Sequence, residues 1–468
     1  MKIIPMFRRT LCVSFAAVCT VLCPATARAQ AVQGFVHEQS AENGYEWPTD
    51  RQVLEKLDQW QDLKFGVLMH WGLYSLPGIV ESWSICSEDV DWISRSTHHQ
   101  PYDEYKKWYW GLKDEFAPVK FNPDQWADMM KDAGMKYMIF TTKHHDGFCM
   151  YDSKYTDFSI AHSKAFAESP KRDIARHVFD AFRRKDFMIG CYFSKPDWHC
   201  PWFWSPEFAT PTRRINYRKE RHPEWWHNYV EFTQHQLGEL TTDYGSMDIL
   251  WLDGGWISGD DIGLDSVLVE ARKRHPGLIA VDRAIRGRNE NYQTPERGIP
   301  DHQLPYPWES CITLSNDWGW TPDAPYKSAR WIINTLTEIT AKGGCFVLGI
   351  GPDRSGQFDY AVAERLHQVG EWLRLNGKAI YGTRNAQVYQ DGNVWFTSSK
   401  DHATLYAIYA LPEKQTLPSV IEWTGNVPRH SVRLLSTGKR LKYAVKDGHV
   451  SVSLPQGLEQ QSLALEIR

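Results

Sequence analysis

The sequence predicts an α/β protein with a (β/α)8-like TIM barrel followed by a C-terminal antiparallel β-sandwich. From about residue 62, short and continuously apolar runs alternate with amphipathic helical stretches. This alternation is typical of a parallel sheet whose outer face is covered by helices. After about residue 380, short segments of alternating polarity follow one another between turn residues, which is typical of antiparallel sheets. We therefore expect a barrel over residues 30–380 and a sandwich over residues 381–468.

Seven apolar runs predict the strands of the barrel, at residues 65–70, 137–142, 188–194, 249–253, 278–282, 311–314 and 346–350. Helical patterns lie between or after them, at residues 124–133, 173–184, 224–240, 266–274, 328–341 and 361–375. This spacing fits a barrel better than a doubly wound sheet, and no G-x-G-x-x-G motif follows the first strand. Five shorter runs predict the sandwich, at residues 394–398, 404–409, 420–423, 432–435 and 450–454.

The first residues have the pattern of a signal peptide. Lys2, Arg8 and Arg9 precede an apolar stretch over residues 11–23 that is too short to span a bilayer, and Ala27-Arg28-Ala29 supplies small residues around a cleavage site. We expect residues 1–29 to be removed near Ala29, which predicts a secreted or periplasmic protein. No other stretch is long and apolar enough for membrane insertion.

Composition excludes some classes of function. A net charge of −4 gives no support to a nucleic-acid binder, which needs a basic face. The aromatic content is 13%, with 22 Trp, which suits either a cleft that stacks on sugars or an aromatic barrel core. Six cysteines remain after residue 29 and none forms a C-x-x-C unit, which argues against a zinc site and a dithiol redox site.

Polar and aromatic side chains stand on or after the last residues of five predicted strands. They are His70 and Trp71, then His144, His145 and Asp146, then Tyr192 and Asp197, then Trp251 and Asp253, and finally Asp282 and Arg283. In a barrel of parallel strands the active site lies at this carboxyl-terminal end. A single histidine there is more often a satisfied core residue, but five such strand ends together favour a polar-lined pocket.

Asp253 is the strongest individual candidate, because a carboxylate ends an apolar strand and two glycines that would let backbone approach a ligand follow it. A covalent nucleophile and a turn-capping aspartate are equally compatible with this stretch alone. His144-His145-Asp146 suggests a metal site, but adjacent strand residues point to opposite faces and metal barrels use H-x-H pairs. We therefore favour a clamp for sugar hydroxyls, with a metal site as the minority alternative, and we expect no cofactor.

Four ordered motifs resemble the α-L-fucosidases of glycoside hydrolase family 29. They are Lys64-Phe65-Gly66 with His70-Trp71-Gly72-Leu73-Tyr74-Ser75, Thr142-Lys143-His144-His145-Asp146-Gly147-Phe148, Asp248-Ile249-Leu250-Trp251-Leu252-Asp253-Gly254, and Trp372-Leu373 with Asn376-Gly377 and Ile380-Tyr381-Gly382-Thr383-Arg384. The resemblance covers residues 45–468. It implies a barrel with a C-terminal β-sandwich, hydrolysis of terminal α-L-fucose with retention of configuration, and no required metal.

The resemblance also implies roles for individual residues. Asp253 matches the nucleophile, and Glu296 in Thr294-Pro295-Glu296 is the first choice for the acid/base, followed by Glu309 and then Glu290. The residues expected to bind the sugar are His70, Glu81, Trp83, His144, His145, Tyr192, Trp251 and Arg283. Ser82 separates Glu81 from Trp83, although the family often has the two adjacent. Residues 198–221 resemble an insertion that either shapes recognition of the leaving group or forms a surface flap.

These observations predict a retaining exo-α-L-fucosidase that acts on a fucosylated oligosaccharide or glycoconjugate. Two alternatives stay open, an exo-hydrolase for a related sugar such as L-galactose and a carbohydrate-binding homologue without catalysis. Linkage preference, disulfide pairing and oligomeric state cannot be read from the sequence.

Overall fold

The computed structural model describes residues 44–86, 101–210 and 212–468. The expected signal peptide lies outside these residues. The predicted parallel sheet is present, with seven strands that curl into a barrel-like layer, in the order β5-β4-β3-β2-β1-β7-β6. The strands are β1 (Phe65–Met69), β2 (Tyr137–Lys143), β3 (Met188–Ser194), β4 (Ile249–Asp253), β5 (Ile279–Asp282), β6 (Glu309–Thr313) and β7 (Cys345–Ile350). All six neighbouring pairs are parallel.

An irregular segment joins the two edges of this sheet. Glu290 forms an antiparallel bridge with Val281 of β5, whereas Gln293 and Glu296 form parallel bridges with Trp308 and Cys311 beside β6. The backbone N–H of Cys311 donates to the carbonyl of Pro295, and that of Arg297 donates to the carbonyl of Cys311. This segment therefore satisfies backbone groups of the strands at both edges, and it carries Glu296 to the carboxyl-terminal end of the sheet.

Eight α-helices accompany the sheets in the described part of the chain. They are α1 (Arg51–Leu63), α2 (Tyr102–Gly111), α3 (Pro123–Asp132), α4 (Ile174–Arg183), α5 (Pro223–Thr242), α6 (Leu264–Arg274), α7 (Ala329–Ala341) and α8 (Tyr360–Asn376). Helix α4 begins where the Asp173 side chain accepts from the backbone N–H of Arg176, and α7 where Ser328 accepts from that of Trp331. Among the described helices, none is both long and apolar enough to cross a membrane.

The barrel interior is closed at its amino-terminal end by α1. Trp60 of this helix is fully buried and stacks on Tyr292, with ring centroids 4.1 Å apart. Tyr137 fills the space beside Gly66 of β1, where an added Cβ would lie 2.5 Å from the tyrosine ring. Large side chains therefore fill the amino-terminal part of the barrel interior, which leaves the carboxyl-terminal end for a site.

Two antiparallel sheets follow the barrel, as predicted. One contains β8 (Thr383–Asp391), β9 (Val394–Ser399), β10 (Leu405–Tyr409), β12 (Val432–Leu434) and β15 (Leu463–Ile467), and the other contains β11 (Val420–Thr424), β13 (Tyr443–Lys446) and β14 (His449–Ser453). Phe396 of the first sheet packs against Trp423 of the second, with ring centroids 5.9 Å apart. The inner faces of the two sheets thus share one apolar core.

The structure differs from the predicted elements in several places. Helices α1 and α2 and strands β8, β13 and β15 were absent from the prediction, and β6 begins at Glu309, two residues before the predicted strand. Strand β6 begins with Glu309, whose buried carboxyl accepts hydrogen bonds from Tyr137 and Trp251. Because this first residue is polar, the apolar pattern of the sequence starts later than the strand. The six cysteines after residue 29 are buried free thiols.

Candidate active site

Asp253 is the last residue of β4, and both of its carboxylate oxygens are occupied by donors from neighbouring strand ends. Tyr192 Oη donates to Oδ2 over 2.6 Å, and Arg283 Nη1 donates to Oδ1 over 2.7 Å. Burial alone would raise the pKa of Asp253. The charge of Arg283 and the hydrogen bonds of Tyr192 and Gly254 outweigh burial and hold that pKa well below its usual range. Asp253 is therefore a carboxylate throughout the physiological pH range.

The loop after Asp253 depends on glycine for a different reason than the one expected. Gly254 has φ +87°, and a Cβ at this position would lie 2.2 Å from Cδ of Pro196, which follows β3. The glycine thus lets the loop after Asp253 turn against the neighbouring loop. Close approach of this backbone to a ligand stays a prediction.

His144 and His145 both follow the end of β2, so the alternation of a strand does not separate them. Each Nδ1 faces a serine, with His144 2.5 Å from Ser82 Oγ and His145 2.6 Å from Ser194 Oγ. Ser194 donates its hydroxyl hydrogen to the carbonyl of Pro196, so it accepts from Nδ1–H of His145. Nε2 of His145 is then a lone-pair acceptor, and it lies 3.7 Å from Asp253 Oδ2.

Burial keeps these rings neutral. It lowers the pKa of His144 to about 4, and it lowers the pKa of His70 and of His145 well below the usual value. The His70 ring lies 5.1 Å from that of Tyr192 and 5.6 Å from that of His144, so all three histidines surround one space beside Asp253. Neutral imidazoles next to a carboxylate can accept or donate to hydroxyl groups, as the sugar clamp requires.

Arg283 connects the two leading catalytic candidates. Its Nη1 binds Asp253, and its Nη2 donates to Oε2 of Glu296 over 2.8 Å. Nε donates to Thr294 Oγ1, which fixes the plane of the guanidinium. The side chains of Asp253 and Glu296 are 17% and 12% exposed, so a ligand can reach both.

Glu309 and Glu290 occupy other places. Glu309 is fully buried at the start of β6, where it accepts from Tyr137 Oη over 2.7 Å and from Trp251 Nε1 over 3.2 Å. Burial raises its pKa to about 7. Glu290 is also buried, and it accepts from the backbone N–H of Ala284. Neither contacts Asp253 or Arg283 by a hydrogen bond, so the geometry favours Glu296 over both as the partner of Asp253.

Trp251 packs against Arg283 and Tyr192, the two side chains that hold the Asp253 carboxylate. It is 1% exposed, the guanidinium of Arg283 stacks 4.3 Å from its ring centroid, and the Tyr192 ring stacks on it at 5.3 Å. Both side chains that hold Asp253 therefore rest on this indole. Contact between Trp251 and a sugar stays a prediction.

Glu81 and Trp83 lie on either side of Ser82 in a short 3-10 turn, Ser82–Ile85. Glu81 is buried and accepts from the backbone N–H of Gly319 over 2.7 Å, and burial raises its pKa to about 7. The Trp83 ring lies 4.9 Å from that of His145. The intervening serine, which looked like a departure from the family, is the residue that holds His144.

Further side chains adjoin the candidate site, and of these Trp256 and Lys195 were missed from the sequence. Trp198 and Trp256 lie 5.2 Å and 5.0 Å from the His145 ring, and with Trp83 they form an aromatic wall beside the histidines. Trp256 comes three residues after Asp253, a spacing that could have identified it. Lys195 and Asp282 form a fully buried ion pair directly behind the strand ends, and Asp282 also accepts from the backbone N–H of Gly259. A sequence pattern gives no sign of such a pair, because its members are distant along the chain.

One group in the described part of the chain could hold a metal ion, formed by His144, His145 and Asp253. The positive charge of Arg283 on the same carboxylate disfavours a cation there. The absence of a metal requirement stays a prediction.

Comparisons with known proteins agree with this geometry. The α-L-fucosidase family model matches residues 32–378. The chain is 30% identical over 431 residues to plasma α-L-fucosidase of Homo sapiens, covering 86% of each chain. It is similar in structure to α-L-fucosidase isoenzyme 1 from Paenibacillus thiaminolyticus, with a TM-score of 0.73, 27% identity and coverage of 89% and 99%. A Thermotoga maritima α-fucosidase in complex with a mechanism-based inhibitor gives a TM-score of 0.71, 28% identity and coverage of 90% and 100%. The sequence and the fold therefore agree that this chain belongs to the α-L-fucosidases of glycoside hydrolase family 29.

Proposed function

We propose that this α-L-fucosidase removes terminal α-L-fucose from glycans by double displacement, with Asp253 as nucleophile and Glu296 as acid/base. The observation that carries the proposal is the single guanidinium of Arg283, which binds both carboxylates. Retaining glycosidases hold the two carboxyl groups about 5–5.5 Å apart, against about 6.5–9.5 Å in inverting enzymes. Two carboxylates at the two ends of one guanidinium fit the shorter separation better.

In the first step, Asp253 attacks the anomeric carbon while protonated Glu296 donates to the departing oxygen. The bond to the leaving group breaks and a bond to Asp253 Oδ forms, which gives a covalent fucosyl-enzyme. Glu296 accepts from Arg283 through Oε2, and we assign the proton to its other oxygen, Oε1. In the second step, water gives a proton to Glu296 and attacks the same carbon, the bond from that carbon to Asp253 Oδ breaks and returns the carboxylate, and fucose leaves with its configuration retained.

The remaining groups bind the sugar. The lone pair on Nε2 of His145 faces Asp253 across 3.7 Å, so a sugar hydroxyl that donates to this nitrogen would lie against the nucleophile. His70 and His144 provide further polar contacts, and Trp83 and Trp256 offer an apolar surface for the C5 methyl group of fucose. Arg283 and Tyr192 hold the carboxylate of Asp253 for attack.

The proposal is tested by following hydrolysis of an aryl α-L-fucoside and an aryl α-L-galactoside by ¹H NMR. We expect turnover of the fucoside, with α-L-fucose as the first product. First formation of β-L-fucose would contradict retention. Equal or faster turnover of the galactoside would support the related-sugar alternative, and no turnover of either would support a binding protein without catalysis.

We also propose that the enzyme acts in the periplasm or outside the cell. The support is the basic, then apolar, then small-residue pattern of residues 1–29. Amino-terminal sequencing of the protein isolated from its native source tests this, and a chain that retains residues 1–29 would contradict it.

A further inference from the structure

A groove runs beside the catalytic pocket, between α2 and the loop that follows β3. Its volume is about 690 Å³, and its aromatic lining is formed by Trp110 of α2 and by Trp198, Trp204 and Phe208 of the loop. This volume falls within the range of about 300–1,000 Å³ that is typical of ligand sites. A second cavity of about 340 Å³ shares Trp110 and His199 with it and extends it. We call these two cavities together the aglycone groove.

The groove shares a wall with the fucose pocket. The Trp198 ring lies 5.2 Å from that of His145 on the side of the pocket, and it stacks on Trp204 at 5.1 Å and 8° on the side of the groove. The indole N–H groups of both tryptophans donate to backbone carbonyls in the same loop, at Arg213 and Arg214. The wall is therefore held in place, and the groove begins one stacked ring beyond His145.

Helix α2 is tied to the same site from the other side. Tyr109 Oη donates to Asp146 over 2.6 Å, directly after the two histidines, and Tyr102 Oη donates to the carbonyl of Ile85 over 2.7 Å. Both walls of the groove are thus fixed to the carboxyl-terminal end of the barrel, where a glycan attached to fucose would leave the pocket.

The lining indicates the chemistry of the ligand. Trp110 and Phe208 are accessible aromatic surfaces in the groove, and Phe208 is 43% exposed. The charged groups around them are balanced, with Lys106 and Lys107 against Asp103 and Glu207. The second cavity adds Lys113 against Asp114 and Asp157, so both signs of charge are interspersed along the whole groove. Aromatic faces with scattered hydrogen-bonding groups and no strong excess of one charge suit a neutral oligosaccharide, which has apolar C–H faces and hydroxyl edges.

We propose that the aglycone groove binds the neutral oligosaccharide that carries the fucose, so that this enzyme acts on extended glycans in preference to short fucosides. The inference rests on the proposed fucosidase function. It assigns recognition of the leaving group to residues of α2 and of the loop after β3, outside the fucose pocket.

The test compares kcat/KM for a neutral fucosylated tetrasaccharide with kcat/KM for an aryl α-L-fucoside. We expect Trp110→Ala and Phe208→Ala to lower the ratio of these two values by about three- to tenfold, through KM of the tetrasaccharide. Trp47→Ala is the matched control, because Trp47 is 55% exposed and lines a separate cavity beside Arg384. Phe208 is 43% exposed, so we expect Phe208→Ala to fold normally. An unchanged ratio in this variant would overturn the proposal.

A binding experiment separates this proposal from the catalytic one. Calorimetric titration of Asp253→Asn with the trisaccharide that remains after fucose is removed should give a measurable affinity. Adding Phe208→Ala should weaken this affinity by the same factor by which it lowers the kcat/KM ratio. No binding of the defucosylated glycan would overturn the groove even if the fucoside is hydrolysed. Tighter binding of an acidic, sialylated tetrasaccharide than of the neutral one would overturn the assignment to neutral glycans.

Discussion

Arg283 donates from Nη1 to Oδ1 of Asp253 over 2.7 Å, across the ends of two adjacent parallel strands. Because β4 and β5 are paired in register, the guanidinium and the carboxylate are held by backbone hydrogen bonds as well as by their own contact. The same guanidinium rests on the Trp251 ring and reaches Glu296. Arg283 therefore contributes to both the charge state and the position of the Asp253 carboxylate, together with the hydrogen bond from Tyr192.

The first prediction concerns Glu296. Glu296→Ala should barely slow the first step with a dinitrophenyl fucoside, seen as a burst of released dinitrophenolate, because this leaving group needs no proton, and it should reduce turnover of natural glycans by about 10²–10⁴-fold. With the activated substrate, fucosyl-enzyme should accumulate, because the second step also needs a base. Added azide should speed its breakdown and give α-fucosyl azide.

Glu309→Ala serves as the comparison, since Glu309 is a buried carboxyl bound to Tyr137 and Trp251. If Glu309→Ala accumulates fucosyl-enzyme and yields α-fucosyl azide while Glu296→Ala does not, the acid/base is Glu309.

The second prediction uses the raised pKa of Glu309. Its folded value of about 7 lies above its ordinary value of 4.5, so between these pH values the folded chain keeps a proton that the unfolded chain has released. Stability from this proton is fully present below about pH 4.5 and is lost as the pH rises towards 7. Urea unfolding at several pH values should show that the free energy of unfolding of wild type falls by about 3 kcal/mol relative to that of Glu309→Gln between pH 4.5 and 7. A difference that does not change with pH would contradict a protonated Glu309.

The third prediction is that activity survives exhaustive chelation. Asp253 is already paired with Arg283, and Nδ1 of each adjacent histidine faces a serine. Dialysis against EDTA, with metal content followed by mass spectrometry, should leave kcat unchanged. Loss of activity that zinc or manganese restores would make His144, His145 and Asp253 a metal site.

The fourth prediction concerns the buried ion pair behind the strand ends. Asp282→Asn should leave the Lys195 ammonium buried without a counter-charge and destabilise the protein by about 3–5 kcal/mol. Arg184→Gln removes a partner from an exposed pair with Asp124 and should have no measurable effect on urea unfolding. If both variants change the free energy of unfolding by the same amount, burial of the Lys195–Asp282 pair does not increase the cost of removing one partner, which would contradict this prediction.

The barrel strands were predictable because their side chains are buried on both faces. Strands β3 and β4 have the predicted bounds, since each is a continuous apolar run ended by a polar residue. Strand β8 was missed because its alternation is interrupted by an irregular register between Asn385 and Gln390. Helix α1 was missed because it precedes the first strand and packs beneath the barrel. The boundary near residue 380 stays a prediction.

Candidate site residues were predictable where a side chain ends a strand or directly follows it, as with Asp253, His70 and Arg283. They were not predictable where contact depends on loops folding together. The sequence left Glu296 and Glu309 as competing acids, and they are distinguished by the hydrogen bond of Glu296 to Arg283 and by the burial of Glu309. No local pattern shows that Ser82 would reach His144 across 62 residues of chain.

The central claim, that Asp253 is the nucleophile of a retaining fucosidase, is tested most directly by the product of azide rescue in Asp253→Gly. Without a carboxylate to attack the anomeric carbon, we expect turnover of an aryl α-L-fucoside to fall by several orders of magnitude. Azide should restore it by direct displacement, and ¹H NMR should identify the product as β-fucosyl azide. Near-wild-type turnover of the variant without azide, or rescue that yields the α anomer, would contradict the assignment.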